Sequence, residues 1–158
     1  MAPLAPDEVT FALATRADLD ALCDLMGAYY REDGLEVTPE STRGALAHLF
    51  RTQETGYDLG RIWFLRRGDV HIGYLALTWV YSFEYGGRVG AVDELYVQPD
   101  SRGRGVGGTA LGFAERVCRE LGMTGLSLEV EPRNEGARRF YERFGFREVE
   151  RHFLLKRL

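Results

Sequence analysis

The sequence predicts a mixed α/β fold in which a mostly antiparallel sheet of six to seven strands is flanked by about four helices. Three β-prone runs in the middle of the chain are separated by the turn signals Arg67-Gly68-Asp69 and Tyr85-Gly86-Gly87, a pattern typical of an antiparallel meander. Stretches with helical apolar spacing lie on either side of that meander. Because no internal repeat or low-complexity linker interrupts the chain, we expect residues 1–158 to form one domain.

The elements follow one another in a simple order. A strand is predicted at 9–13, and Thr15 is a suitable N-cap for the helix that follows at 17–32. A second helix is predicted at 39–53, because proline is favoured in the first turn and Pro39 stands there. The remaining elements are strands at 61–67, 70–85 and 88–97, a helix at 105–121, a strand at 125–130, a helix at 134–144, and one or two closing strands within 146–156.

Composition indicates a globular protein and argues against nucleic-acid binding. A chain of 158 residues that is 45% hydrophobic and 28% charged is long enough to bury a hydrophobic core. Its net charge of −4 argues against a general nucleic-acid binder, which needs a basic stripe. Basic residues do cluster locally. These clusters are either solvated surface or a positively charged binding site for a phosphorylated ligand. They comprise Arg102, Arg104, Arg133, Arg138 and Arg139.

Cysteine, histidine and apolar patterns favour a soluble cytoplasmic protein without a metal. Cys23 and Cys118 fall at apolar positions of predicted helices, as reduced core thiols do. The three histidines are dispersed along the chain, so we expect no metal site. No signal peptide and no apolar run of membrane-spanning length is present, so no membrane association is expected.

The first motif is a loop of arginine and glycine that follows a strand and opens a helix. The β-prone run ending at Val97 stops at a Pro-Asp turn, and the loop follows directly. Backbone N–H groups at the start of a helix, freed of side-chain bulk, form a cradle for phosphate. The predicted cradle comprises Arg102, Gly103, Arg104, Gly105, Val106, Gly107 and Gly108.

This loop has two other interpretations. Gly103, Gly105 and Gly108 also satisfy the G-x-G-x-x-G fingerprint of dinucleotide binding, with Glu129 about 20 residues further on. However, such a fingerprint normally opens a run of βαβ units, and only fifty residues follow Gly108. The second alternative is that the loop is an ordinary surface turn that binds no ligand.

The second motif spans residues 134–146 and follows the strand predicted at 125–130. Asn134 is a good helix N-cap and Gly145 a good helix stop. The apolar stripe between them comprises Ala137, Phe140, Tyr141 and Phe144. For Phe140 and Phe144 we prefer the interpretation that they pack in the core.

Together the two motifs resemble the GNAT superfamily of N-acetyltransferases. The loop has its Arg-x-x-Gly-x-Gly spacing, and the second motif is a nearly complete Asn-x-x-Ala-x-x-Phe-Tyr-x-x-x-Gly-Phe. The resemblance covers most of the chain, with clear motifs from 93 to 146, and it implies the GNAT fold with acetyl-CoA as co-substrate. Within the superfamily, residues 85–106 look most like the diamine (spermidine/spermine-type) branch. Many small enzymes of this kind form dimers through their C-terminal strands, so the resemblance also implies a homodimer.

The resemblance also implies roles for individual residues. Tyr141 would point its hydroxyl at the CoA sulfur, and backbone N–H groups of Leu95, Tyr96 and Val97 would polarise the acetyl carbonyl. The glycine loop and Asn134 would contact the cofactor. Asp93 aligns with the catalytic carboxylate of the diamine branch. In strict alternation Asp93 and Glu94 occupy opposite faces of the strand, but a bulge would move the role to Glu94.

These implications lead to one functional hypothesis and its alternatives. We expect an acetyl-CoA-dependent N-acetyltransferase that acts on the primary amine of a small molecule, such as a polyamine or amino acid, by direct transfer in a ternary complex. The alternatives are a GNAT-fold module that binds acyl-CoA without catalysis and an enzyme that acetylates a peptide or protein. The acids and tyrosines available for an amine pocket are Tyr29, Tyr30, Glu32, Asp33, Glu36, Tyr81 and Glu84.

Overall fold

A computed structural model describes residues 8–158 and contains one five-stranded sheet in the order β1-β2-β3-β4-β5. The strands are β1 (Val9–Leu13), β2 (Gly60–Arg67), β3 (Val70–Ser82), β4 (Gly87–Val97) and β5 (Gly125–Leu128). The helices are α1 (Leu19–Asp33), α2 (Pro39–Glu54), α3 (Val106–Glu120) and α4 (Glu135–Arg143). The first four strands form an antiparallel meander, and β5 lies parallel to β4. The mixed sheet and the four helices are therefore confirmed.

Helix ends follow the local signals in the sequence. The Thr38 side chain caps α2 by accepting a hydrogen bond from the Ser41 N–H at 3.1 Å, and Pro39 occupies the first turn. Asn134 caps α4 in the same manner, because its Oδ1 accepts from the Ala137 N–H at 3.0 Å. Thr15 precedes a single 3₁₀ turn, so α1 begins at Leu19, two residues later than predicted.

The core has two parts, one on each face of the sheet. On one face, α1 and α2 cover buried side chains of β2, β3 and β4, including Phe64, Tyr74 and Tyr96. On the other face, α3 packs on Leu75, Leu77 and neighbouring residues of the strands. Side chains of α4 extend this second cluster. The fourth strand thus lies between two packed helical layers.

The prediction of six to seven strands is wrong, because the sheet has five and the described residues after 128 contain no strand. Strand β5 also ends two residues before the predicted boundary. The closing segment carries clustered charges and one contiguous apolar run. A strand on the surface of a sheet instead needs alternating polar and apolar residues and a neighbouring strand to pair with. In that run Phe153, Leu154 and Leu155 are 71%, 89% and 71% exposed. Arg151 is instead paired with Glu84 in the β3–β4 turn, at 2.7 Å.

Candidate active site

The site is built on the C-terminal half of β4. This strand pairs with β3 from end to end, but its pairing with β5 extends only from Val89 to Val92. Beyond Val92 the two parallel strands no longer pair, so the main-chain groups of residues 93–97 that face away from β3 have no partner strand. Unpaired strand N–H groups are free to bind a ligand atom. The two strands are therefore separate beyond Val92.

A β-bulge at Asp93 determines which carboxylates share a face. Ala76 pairs with Glu94 and Leu77 pairs with Val92, so Asp93 is an extra residue in β4. Its effect is visible in packing, because Val92 and Leu95 both contribute to the α3 side although they are three positions apart, a spacing that strict alternation would place on opposite faces.

Strict alternation breaks at this bulge, so the alternative considered for the strand, a bulge, is the one present. Asp93 lies close enough to the α1 side for its charge to raise the pKa of Tyr30, as does that of Glu94. The charges of both carboxylates therefore act on the α1 side of the strand.

Glu94 is held by two tyrosine hydroxyls. Tyr30 on α1 donates to its Oε1 at 2.8 Å, and Tyr74 on β3 donates to its Oε2 at 2.7 Å. Burial raises the pKa of the Glu94 carboxyl, the neighbouring Asp93 raises it further, and the two hydrogen bonds oppose both effects. Asp93 has an exposed side chain, and partial desolvation raises its pKa as well.

Tyr74 is a functional candidate that sequence reasoning missed. Its side chain is completely buried, within an apolar run of β3. A buried tyrosine needs a hydrogen-bond partner for its hydroxyl, and this requirement was the available signal. The identity of that partner, Glu94, depends on strand register and was not visible in the sequence.

Tyr29 of α1 lies beside β4, with its ring centroid 5.7 Å from that of Tyr96. Burial raises the pKa of Tyr29 to about 12, with further contributions from Asp33, Glu94, Tyr141 and Asp93, in that order. The catalytic roles of Tyr141, Asp93 and Glu94 stay predictions.

The ring of Tyr141 is fixed by packing. It contacts Phe140 and Phe146 in edge-to-face geometry, with centroid separations of 5.2 and 5.8 Å. Burial raises the pKa of the Tyr141 hydroxyl, so it stays protonated throughout the neutral range. It is therefore available as a proton donor.

The glycine loop has the features of an anion cradle. Gly103 and Gly105 have positive φ angles of 75° and 77°, and nothing lies within 4 Å of the position of a Cβ atom at either residue. The first helical hydrogen bond of α3 runs from the Thr109 N–H to the Gly105 carbonyl, so the N–H groups of Val106, Gly107 and Gly108 have no helical acceptor. These residues fit a phosphate-bearing ligand.

Other residues of the predicted cradle serve different purposes. The Arg102 side chain turns back, donating from Nε to the Val97 carbonyl at 2.7 Å and pairing with Glu32 of α1 at 2.6 Å. Gly107 and Gly108 lie against α4, where an added Cβ would approach Phe140 to 3.2 Å and Phe144 to 2.6 Å. The small size of these two glycines is therefore needed for helix packing. Phe140 packs on the core as predicted, whereas Phe144 is 44% exposed, so its predicted place in the core is wrong.

Residues 8–158 contain no group of three histidine, cysteine, aspartate or glutamate side chains arranged to hold a metal ion. None of the helices α1 to α4 is long and apolar enough to cross a membrane.

A mixed sheet whose fourth and fifth strands diverge beside a helix-opening glycine loop defines the acetyltransferase class that the sequence motifs resemble. The model of the Acetyltransferase (GNAT) family matches residues 19–146. Because this match covers most of the chain, the chain belongs to that family. The fold is accordingly a GNAT fold with a five-stranded sheet.

Relatives among curated proteins match about half of the chain. One is the aminoalkylphosphonate N-acetyltransferase of Salmonella typhimurium, 30% identical over 89 residues, covering 56% of this chain and 57% of that protein. Another is an uncharacterized N-acetyltransferase of Methanocaldococcus jannaschii, 35% identical over 81 residues, covering 50% of this chain and 35% of that protein. These alignments thus span little more than half of one relative and about a third of the other.

Solved structures match nearly the whole chain. An integron cassette protein from the mobile metagenome of Cole Harbour Salt Marsh superposes with a TM-score of 0.79 at 34% identity, covering 94% of this chain and 90% of that one. An aminoglycoside N-acetyltransferase in complex with CoA gives a TM-score of 0.79 at 15% identity, covering 99% of both chains. At that identity the second likeness shows the fold alone.

Proposed function

We propose that this chain is an acetyl-CoA-dependent N-acetyltransferase that acts on the primary amine of a small molecule by direct transfer in a ternary complex. The observation that carries the proposal is the separation of β4 from β5 beyond Val92, directly ahead of the glycine loop that opens α3. Family membership supports the transfer of an acyl group. A cleft that holds a donor and an acceptor side by side suits direct transfer, because alignment of two reactants is itself a large part of catalysis.

The glycine loop and β4 supply the proposed contacts to the co-substrate. We assign the pyrophosphate to the N–H groups of residues 103–108, and we assign secondary contacts to Arg102 and Asn134. When bound, acetyl-CoA supplies a thioester carbonyl that an amine can attack and a thiolate that can leave. The unpaired N–H groups of residues 95–97 polarise that carbonyl, and Tyr141 donates a proton to the leaving sulfur.

The carboxylate pair deals with the acceptor amine. A lysine-like amine has a reference pKa near 10.4, so its deprotonation at pH 7 costs about 4.6 kcal/mol. Asp93 and Glu94 attract the ammonium form, and the raised pKa of each carboxyl makes it a better proton acceptor than an ordinary acid. The site therefore favours a cationic substrate that loses a proton before attack.

A thiol-release assay with a panel of amines tests the proposed function. The panel contains diamines and polyamines, to which residues 85–106 point, together with amino acids, an aminoalkylphosphonate and an aminoglycoside. We expect amine-dependent release of CoA thiol with at least one class. Binding of acetyl-CoA without release for any amine or peptide would instead indicate a non-catalytic binding module.

The cofactor cradle leads to a prediction at Gly105. We expect Gly105→Asn to weaken acetyl-CoA binding at least about tenfold in calorimetry, because the proposal places the pyrophosphate against this loop, where a new side chain would compete for the same space. Asparagine tolerates positive φ, and nothing lies within 4 Å of the Cβ position at Gly105, so the fold is retained.

The matched control for that variant is Gly122→Asn. Gly122 has a φ of 68° and equally open space, but it lies beyond the opposite end of α3. We expect this control to bind acetyl-CoA normally. Equal affinities for the two variants would contradict the assignment of the loop, and tight NAD binding without acetyl-CoA binding would restore the dinucleotide interpretation.

We further propose a homodimer formed through the C-terminal segment. Strand β5 is the last strand of the sheet, and the exposed run Phe153, Leu154 and Leu155 is suited to cover that edge across two chains. Light scattering at micromolar concentration should then give twice the chain mass of 17.9 kDa. A mass near 17.9 kDa would refute the dimer.

A further inference from the structure

The hydrogen bonds around Glu94 form a clamp that joins three elements. Both carboxylate oxygens accept a hydroxyl, at 2.8 Å from Tyr30 of α1 and 2.7 Å from Tyr74 of β3. Such lengths are ordinary for well-formed O–H···O hydrogen bonds. We use the name tyrosine clamp for Tyr30, Tyr74 and Glu94. The clamp fixes the orientation of Glu94 at the point where β4 leaves β5.

We infer that Tyr30 and Tyr74 are positioning residues that hold Glu94 oriented and ionised, so that Glu94 rather than Asp93 takes the proton of the acceptor amine. The inference rests on the proposed function, and it specifies which carboxylate acts and what prepares it. Asp93 differs in its surroundings, because its side chain is exposed and receives no hydrogen bond from residues 8–158. A carboxylate without partners is free to attract a cation but is not fixed for proton transfer.

The proton balance of the step is simple. The N–H bond of the substrate ammonium breaks, its electron pair stays on nitrogen, and an O–H bond forms on Glu94, directly or through one water. The hydroxyls of both tyrosines remain protonated, because burial and the adjacent carboxylate raise their pKa values well above the ordinary range. Tyr30 and Tyr74 therefore act only as donors to Glu94.

The two donors set the pH at which Glu94 becomes available as a base. Burial and Asp93 raise the pKa of Glu94, and each tyrosine hydroxyl lowers it. Other titratable groups nearby are Tyr29 and Asp33 of α1 and Tyr141 of α4. Removal of one hydroxyl takes away one of the two lowering effects, so the pKa of Glu94 must move upward.

A titration of Glu94 in the full chain tests the clamp without any turnover. Glutamate labelled with ¹³C at Cδ reports carboxyl ionisation by NMR, and Glu94→Gln assigns the signal. We expect Tyr30→Phe and Tyr74→Phe each to raise the midpoint by about one pH unit, a tenfold change in proton affinity. Tyr29→Phe, which removes a nearby hydroxyl that does not bond to Glu94, should leave the midpoint in place.

The pH profile of kcat/KM shows whether the clamp operates in catalysis. We expect the acid limb of the Tyr30→Phe profile to move upward with the Glu94 midpoint, while KM for acetyl-CoA stays constant. The exposed Tyr57 lies outside the site, and Tyr57→Phe should give the parent profile. If Tyr74→Phe fails to fold, Tyr30→Phe alone decides the question.

Two results would overturn the inference. One is a Glu94 midpoint that is the same in Tyr30→Phe and the parent protein, and the other is an acid limb that stays in place although the midpoint moves. Failure of the proposed function has a different signature, since the parent protein would then acetylate no amine while the titration still reports on the clamp.

Discussion

Replacing Tyr141 with phenylalanine should lower turnover about 100-fold and leave the affinity for acetyl-CoA within about twofold. The ring is held by Phe140 and Phe146, and phenylalanine preserves both contacts. Only the hydroxyl is lost, which removes the proposed proton donor to the leaving sulfur. Because burial raises the pKa of that hydroxyl, the parent enzyme should keep its donor well above neutral pH.

Single-turnover kinetics with acetyl-CoA and a competent amine measure the chemical step in this variant. Calorimetry on the same sample gives the affinity, and Tyr57→Phe is the matched control because it removes a distant, exposed hydroxyl. A Tyr141→Phe enzyme with full turnover would mean that the thiolate leaves without assistance. Tyr141 would then be a packing residue of α4.

Elements with local signals were predicted well from the sequence. The helix starts at Pro39 and Asn134 depend on capping within one turn, and the meander depends on turns that follow each strand directly. Such signals act between residues close in the chain and need no knowledge of the remaining fold. The glycine loop and the position of Tyr141 were found in the same way, through motifs of fixed spacing.

Features that depend on distant contacts were predicted poorly. The closing strands were inferred from an apolar run alone, but the run is exposed and charged neighbours surround it. A strand forms only where a partner edge and a face to bury are both present, and the sequence of one segment contains neither. The number of strands was overestimated for this reason.

The tyrosine clamp shows the same limit inside the site. Tyr30 was among the candidates for the amine pocket, but its bond to Glu94 spans 64 residues of sequence. Tyr74 meets Glu94 only because β3 and β4 pair in the observed register, with the bulge at Asp93. The sequence left Asp93 and Glu94 as alternatives, whereas the hydrogen bonds that set Glu94 apart depend on the sheet.

The different roles proposed for the two carboxylates lead to a paired prediction at Glu94 and Asp93. At pH 7 we expect Glu94→Gln to lower kcat/KM about 100-fold, since it removes the group proposed to accept the amine proton. Asp93→Asn should cost only about tenfold, through weaker attraction of the ammonium form. Both variants change the charge by the same amount at adjacent positions, so each controls for the loss of charge in the other.

The pH dependence of the Glu94→Gln defect distinguishes a proton acceptor from a residue that only orients the substrate. As pH rises toward the amine pKa near 10.4, the free base forms without help, so the defect should shrink to a small factor. Initial rates from pH 6 to pH 10 with one amine provide the measurement, and thermal unfolding confirms that each variant is folded. A defect that stays constant with pH would make Glu94 an orienting group. A larger loss of kcat/KM in Asp93→Asn than in Glu94→Gln would mean that Asp93, the exposed carboxylate at the bulge, accepts the amine proton.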